Sequence, residues 1–236
     1  MKKIFKRILL IILVVFISMI VGLKVYTLDS SKPTDEMYDA IELIDTSSLT
    51  IEDKFDHISY LNEDPIKNIV FIPGGKVDPS SYAYLAINLA IEGYDVTIVK
   101  TLFNLAILTP QYGKRFLNDN LDNVVIGHSL GGTVASMFSS KNELVDQMVF
   151  LASYPIKDVS DKDVLMMTAE FDGLLDLEEV ETSKIYLNEE TTYIDINGGN
   201  HAQFGWYGEQ KGDKEASITT KVQQDLIINY ILEFIR

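Results

Sequence analysis

The chain has 236 residues, no cysteine and a formal charge of −15. The missing cysteines rule out disulfide staples, thiolate metal sites and cysteine nucleophiles. Residues 1–28 carry Lys2, Lys3, Lys6, Arg7, Lys24 and no acid, so −20 is left for the remainder; a domain that acidic repels nucleic acid and anionic surfaces, and nucleic acid is not expected as a partner.

In chain order, a basic flank comes first, Met1 to Arg7. Ile8 through Leu23 is then sixteen residues without a charge. At 1.5 Å per residue they cover roughly 24 Å. Lys24 can snorkel while Val25 and Tyr26 lengthen the apolar run, which nearly spans a hydrocarbon core of about 30 Å. Positive flanks stay in the cytoplasm, so the expectation is a signal-anchor with its N-terminus inside and the following domain outside, at the cell membrane. The alternative is a secreted protein with a cleaved signal peptide, but there is no A-x-A-like site and the best candidate is a weak one after Thr27, with Val25 at −3.

Asp29–Glu36 is linker-like in composition. The expected division is therefore 1–28 as the membrane segment, 29–50 as a linker and 51–236 as one compact domain of a size that buries a substantial core.

Lys54–Leu61 reads as an early strand, turned at Asn62-Glu63-Asp64-Pro65. Asn68–Ile72 is a fully apolar strand ended by Pro73-Gly74-Gly75. Ser80–Glu92 has helical periodicity, stopped by Gly93. Asp95–Val99 is a strand, and Pro110–Asn118 reads as a helix. Asn123–Ile126 is a strand followed by Gly127-His128-Ser129-Leu130-Gly131 and a helix of small residues. Strands at 147–151, 163–168 and 191–196 follow, with helices at 177–184 and 218–235. Strands alternating with helices predict an α/β fold: a mostly parallel central sheet with helices on both faces. Sites in such sheets lie beyond the carboxyl ends of the strands.

Gly127–Gly131 reads G-x-S-x-G, placed where a buried strand turns into a helix. That is the context of a nucleophile elbow, a strained turn that holds a serine hydroxyl above the sheet. A serine at its ordinary pKa is a poor nucleophile, so it needs a base, and the base needs an orienting acid. Three histidines are available. His128 adjoins Ser129 and its side chain is expected to diverge from the hydroxyl. His57 precedes the core sheet. His201 follows the last strand behind Gly198-Gly199-Asn200, a backbone suited to aiming one side chain, and is the expected base. In the chain order Ser…Asp/Glu…His the acid falls after the strand ending at Thr168. Asp172 is the first choice, with Glu170 and Asp176 as alternatives. Oxyanion donors are expected from the backbone N–H of Leu130 and from Gly75 or Lys76 in the loop after an earlier strand.

With these four loops in this order, Phe71–Asp78, Gly127–Gly132, Glu170–Leu174 and Gly198–Gly205, the chain resembles the α/β-hydrolase superfamily over about Phe55 to Arg236. It is similar to small bacterial hydrolases of the dienelactone-hydrolase type. The resemblance implies Ser129 as nucleophile, Asp172 as acid, His201 as base and esterase-like chemistry without metal or cofactor. Only eleven residues, Ala152 to Lys162, separate two strands where many relatives insert a lid. The site is therefore expected to be lidless, or nearly so, and open. Phe103, Tyr154, Phe204 and Trp206, with Leu105 and Tyr207, are candidates to line an apolar cleft. A carboxylic ester, either a small molecule or part of the cell envelope, is the expected substrate. An acyltransferase or peptidase using the same triad, or a binding module that keeps the fold without catalysis, are the alternatives. Nothing in the sequence speaks to oligomeric state.

Overall fold

The computed structural model describes residues 2–236. Lys2–Tyr26 forms helix α1. Its apolar side chains face outward rather than into the protein. By length and composition Lys3–Tyr26 can cross a membrane, and one such helix at an N-terminus is equally what a signal sequence looks like.

The stretch expected as a linker is partly structured. Asp35–Glu42 forms α2, and Met37 on it is fully buried. Met37, Ala40, Ile41 and Ile44 all pack against the core. Their i, i+3, i+4, i+7 spacing makes one apolar stripe. Two turns of helix were too short for that stripe to stand out among the acids around it.

An eight-stranded sheet follows: β1 Thr50–Asp53, β2 His57–Leu61, β3 Asn68–Ile72, β4 Asp95–Val99, β5 Asn123–His128, β6 Val145–Leu151, β7 Asp163–Ala169 and β8 Thr192–Ile196. The spatial order is β1-β2-β4-β3-β5-β6-β7-β8. β1 and β2 are antiparallel and every pair from β4 to β8 is parallel. The single early strand expected over 54–61 is thus a hairpin, with Lys54–Asp56 as its turn.

The helices are α3 Ala83–Ile91, α4 Leu130–Ser139, α5 Leu177–Ser183 and α6 Thr220–Ile235. Strand residues alternate between the two covered faces. Ile69, Phe71, Val124 and Ile126 meet α3 and α6, while Val70, Ile72 and Val125 meet α4. Each fully buried side chain of this size contributes roughly 1.5–3 kcal/mol, which is why the central strands read as unbroken apolar runs.

The helix expected at Pro110–Asn118 is instead a 3-10 turn, Tyr112–Phe116, the last of three such turns after β4. Gly113 lies against the ring of Phe138, where a Cβ would come within 2.7 Å of the ring carbons. Between β6 and β7, residues 152–162 contain no helix, so no lid arises there.

Candidate active site

β5 ends at His128 and α4 begins at Leu130, with Ser129 between them at φ 51°, ψ −127°. That backbone is strained for a residue with a side chain, and such strain persists only where the surroundings over-determine it. The two flanking glycines supply the room. A Cβ on Gly127 would run into the Gly132 backbone, and one on Gly131 into the carbonyl oxygens of Ile72 and Pro73. The Ser129 N–H donates to Leu151 O at 2.9 Å, and Ser153 Oγ donates to Ser129 O at 2.6 Å. The serine is therefore fixed by β6 from below and is half-exposed above.

His201 and Asp172 come from loops after β8 and β7. Their side chains are both 97% buried and meet through His201 Nδ1 and Asp172 Oδ2 at 2.8 Å. Asp172 Oδ1 accepts the N–H groups of Leu174 and Leu175, each at 2.8 Å. Burial pushes the Asp172 carboxyl up, but the bond and charge of His201, with the two backbone donors, outweigh it and hold it below the ordinary carboxylate range. An ionised Asp172 is acceptor-only, so the hydrogen bond between them is donated by a proton on His201 Nδ1. The other two acids are occupied elsewhere. Glu170 accepts the Gly198 N–H at 2.9 Å, and Asp176 caps α5 through Glu178 and Glu179.

The His201 ring reaches the elbow, 4.8 Å between centroids from the ring of His128. No hydrogen bond joins Ser129 Oγ to His201 among the described residues. Catalytic hydrogen bonds commonly tighten only when substrate is bound.

Three residues outside the predicted set hold this pair in place. Asp213 accepts the Gly173 N–H at 2.9 Å on one oxygen and the Ala202 N–H at 2.8 Å on the other, so one carboxylate ties the Asp172 loop to the His201 loop. Gln223, fully buried on α6, exchanges two 2.9 Å bonds with the backbone of Asn200. Gln224 donates to Gln203 O at 2.7 Å. A pair of glutamines on a buried helix face, where apolar residues are expected, was the available clue.

His128 diverges from Ser129, as expected, and is buried. Its Nδ1 lies 2.8 Å from Tyr82 Oη, which also accepts the Gly74 N–H at 3.0 Å. Tyr82 therefore donates to His128. Burial and the neighbouring His201 hold the His128 imidazole well below its usual pKa, so it is neutral. His57 pairs with Asp56 at 2.8 Å on the far side of β4, away from the serine.

The loop after β3 supplies one free donor near Leu130. The Lys76 N–H is given to Asn104 O at 2.7 Å, which removes it as an oxyanion donor. The Gly74 N–H is given to Tyr82. Gly75 N–H and Leu130 N–H have no partner among the described residues, and a Cβ on Gly75 would stand 3.0 Å from Leu130 Cδ2. The Leu130 N–H opens α4, where the helix dipole favours negative charge, and Gly75 packs against the Leu130 side chain.

The expected cleft is corrected in two of its four residues. Phe204 is fully buried and stacks on His128, 6.0 Å between centroids, and Trp206 is buried edge-on to Tyr84 at 4.9 Å. Both are core residues, because the chain after His201 turns inward under α6 instead of along the rim. Tyr207 is likewise buried. Phe103 and Tyr154 remain partly exposed, in separate depressions. Leu105 stands 3.9 Å from where a Gly75 Cβ would be. Among the described residues, no cluster of three His, Cys, Asp or Glu is arranged to hold a metal ion.

No curated protein sequence matches the chain. Solved structures do. A dienelactone hydrolase from Anabaena variabilis aligns with a TM-score of 0.58 at 14% identity, over 80% of this chain and 100% of that one. A CIB-like hydrolase from Thermoplasma acidophilum gives 0.57 at 12%, over 78% and 99%. Carboxyl esterase 2 from Tuber melanosporum gives 0.56 at 15%, over 88% and 92%. At these identities the likeness is one of fold. A family model described as the alpha/beta hydrolase family matches residues 68–225, from the start of β3 into α6 and across every loop of the site. The chain belongs to the alpha/beta hydrolase family and is a hydrolase.

Proposed function

We propose that this hydrolase cleaves a carboxylic ester through an acyl-serine intermediate, with Ser129 as nucleophile, His201 as base and Asp172 as its orienting acid. The observation that carries the reading is the buried 2.8 Å pair of Asp172 and His201, whose imidazole lies 4.8 Å from the ring of His128, the neighbour of a strained elbow serine. The esterase and dienelactone hydrolase among the fold neighbours support an ester over other acyl groups.

In the first step Ser129 Oγ bonds to the ester carbonyl carbon while its proton passes to His201 Nε2. The carbonyl oxygen takes up the negative charge and receives hydrogen bonds from the Gly75 and Leu130 N–H groups. Each such donor contributes roughly 3 kcal/mol to the rate. The carbon–oxygen bond to the alcohol then breaks, and His201 returns its proton to the departing alkoxide. In the second step water gives a proton to His201, its oxygen attacks the acyl carbon, and the acid leaves as Ser129 recovers its proton. Asp172 remains ionised throughout and stabilises the imidazolium.

The second part of the reading concerns place. α1 serves as an uncleaved anchor with its basic end in the cytoplasm, so that residues 51–236 work outside the cell as a catalytic domain. Mass spectrometry of the mature N-terminus tests the anchor: a chain beginning after Thr27 would overturn it. The catalytic reading is tested with p-nitrophenyl butyrate and a fluorophosphonate probe. Wild-type protein should turn over the ester and label at Ser129, and Ser129→Ala should do neither. An unchanged rate in Ser129→Ala would sink the assignment.

A further inference from the structure

The end of α1 is tied to the oxyanion loop. Ser31 forms a parallel bridge with Val77, through Ser31 N to Lys76 O and Asp78 N to Ser31 O, each 2.8 Å. Lys76 Nζ lies 2.6 Å from Asp29 and 4.6 Å from the centroid of the Tyr26 ring. Tyr26 is the last residue of α1, and Lys76 directly follows Gly75. From Tyr26 to Ser31 is five residues, at most about 18 Å of chain even if fully extended. With α1 in a bilayer, Tyr26 and Lys24 sit at the headgroup level, where aromatic and basic residues anchor helix ends. The loop after β3 is then held within about 18 Å of that level by the Ser31–Val77 bridge and the short connection from Tyr26.

The neighbouring rim has the composition of a surface that touches lipid. The loop after β4 reaches the oxyanion loop through Asn104 O and Leu105. The same loop exposes Leu102, Ile107 and Leu108. Across from it Phe55 is 94% exposed. Phe55, Leu102, Phe103 and Tyr112 line a cavity of about 320 Å³. Exposed side chains this large, contiguous with a cavity, mark an interaction site. Residues 100–118 hold Lys100, Lys114 and Arg115 and no acid, in a domain that is otherwise strongly acidic. Lys114 and Arg115 have no acidic partner among the described residues. The loop itself thus adds only positive charge to this face, where Asp56 lines the cavity and Asp53 is paired with Lys100.

We infer that the mouth of the active site rests on the bilayer that holds α1, and that the ester it cleaves is a long-chain acyl ester of a membrane lipid in that leaflet. This rests on the ester-hydrolase reading and on α1 as an anchor. The lidless mouth fits the same arrangement, because the bilayer itself covers the site. The acyl chain enters from the lipid over Leu102 and Phe103, the carbonyl reaches Ser129, and the products are a fatty acid and the deacylated lipid alcohol.

The test uses the full chain in phosphatidylcholine vesicles. The absence of native cysteine allows single labels at Ile107→Cys and, as control, at Tyr193→Cys, exposed at the amino end of β8 on the opposite sheet edge. A fluorophore at 107 should be quenched by brominated lipid and one at 193 should not. Fatty acid should be released from diacylglycerol in the vesicles. Ile107→Ser combined with Leu108→Ser should lower that release by about tenfold while p-nitrophenyl butyrate turnover changes by less than about twofold.

Turnover of p-nitrophenyl butyrate with no fatty-acid release and no quenching at 107 would overturn the inference and leave the hydrolase reading standing. A blue-shifted label at 107 that brominated lipid does not quench would mean that a second copy of the chain covers the patch, which also overturns it. No turnover of either ester would remove both readings together.

Discussion

The imidazole rings of His128 and His201 lie 4.8 Å apart, centroid to centroid. In the proposed mechanism His201 accepts a proton in each turnover, and a second cation beside it would oppose that. Burial keeps His128 neutral, its Nδ1 serving only as an acceptor for Tyr82.

That neutrality has a consequence for stability. The His128 pKa in the folded chain lies well below the 6.5 of an unperturbed histidine. As pH falls through about 6.5, the unfolded chain takes up a proton that the folded one refuses, so stability present above that pH is lost below it. The slope is up to about 1.4 kcal/mol per pH unit. Asp172, held below its ordinary range, acts in the same direction but only below about pH 4. Urea unfolding between pH 8 and 5 should therefore show an acid limb, and His128→Gln should flatten it near pH 6.

Asp172→Asn should preserve the fold, because the remaining oxygen still accepts from Leu174 and Leu175. An amide facing His201 Nδ1 favours the wrong tautomer. We expect kcat on p-nitrophenyl butyrate to fall by about 10³–10⁴-fold, with a thermal midpoint close to that of the wild type. A loss below tenfold would mean that Asp172 does not orient the base.

Asp213 is expected to act as a positioning residue. In Asp213→Asn only one side of the side chain can still accept, so either Gly173 N–H or Ala202 N–H loses its partner. Hydrogen bonds to charged groups contribute about 1.5–3 kcal/mol, and full loss at the transition state corresponds to roughly a tenfold to hundredfold fall in kcat. KM should change little, and the pH profile of kcat/KM should shift as the Asp172–His201 pair loosens. A lowered melting temperature with kcat and pH profile unchanged would reduce Asp213 to a loop staple.

Tyr82→Phe removes one hydroxyl and leaves two buried groups without partners, the Gly74 N–H and His128 Nδ1. Each orphaned group costs about 1–3 kcal/mol. Denaturant unfolding should register a loss of at least about 2 kcal/mol, and turnover should fall as the oxyanion loop loses its anchor.

Legibility followed the range of the signal. Strands β3 and β4 were readable to the residue, because burial on both faces leaves short runs rich in apolar and β-branched residues between turn residues. The 102–116 region was not, since its three short 3-10 turns are set by contacts with α4 and the oxyanion loop and not by any local periodicity. Phe204 and Trp206 illustrate the limit on the site. Their aromatic character is visible in the sequence, but whether a ring faces a cleft or His128 depends on where α6 sends the chain.

By itself the sequence determined the α/β alternation, the elbow at Ser129 and the order in which Asp172 and His201 follow it, since each depends on neighbours along the chain: glycines that permit a turn, apolar runs that must be buried. Only the tertiary structure decided which acid meets the histidine, that the Lys76 N–H is taken by Asn104 while Gly75 packs against Leu130, and that Asp213 bridges the Asp172 and His201 loops. Those outcomes depend on hydrogen bonds between segments far apart in sequence, whose partners are chosen when the loops pack together at the carboxyl ends of the strands.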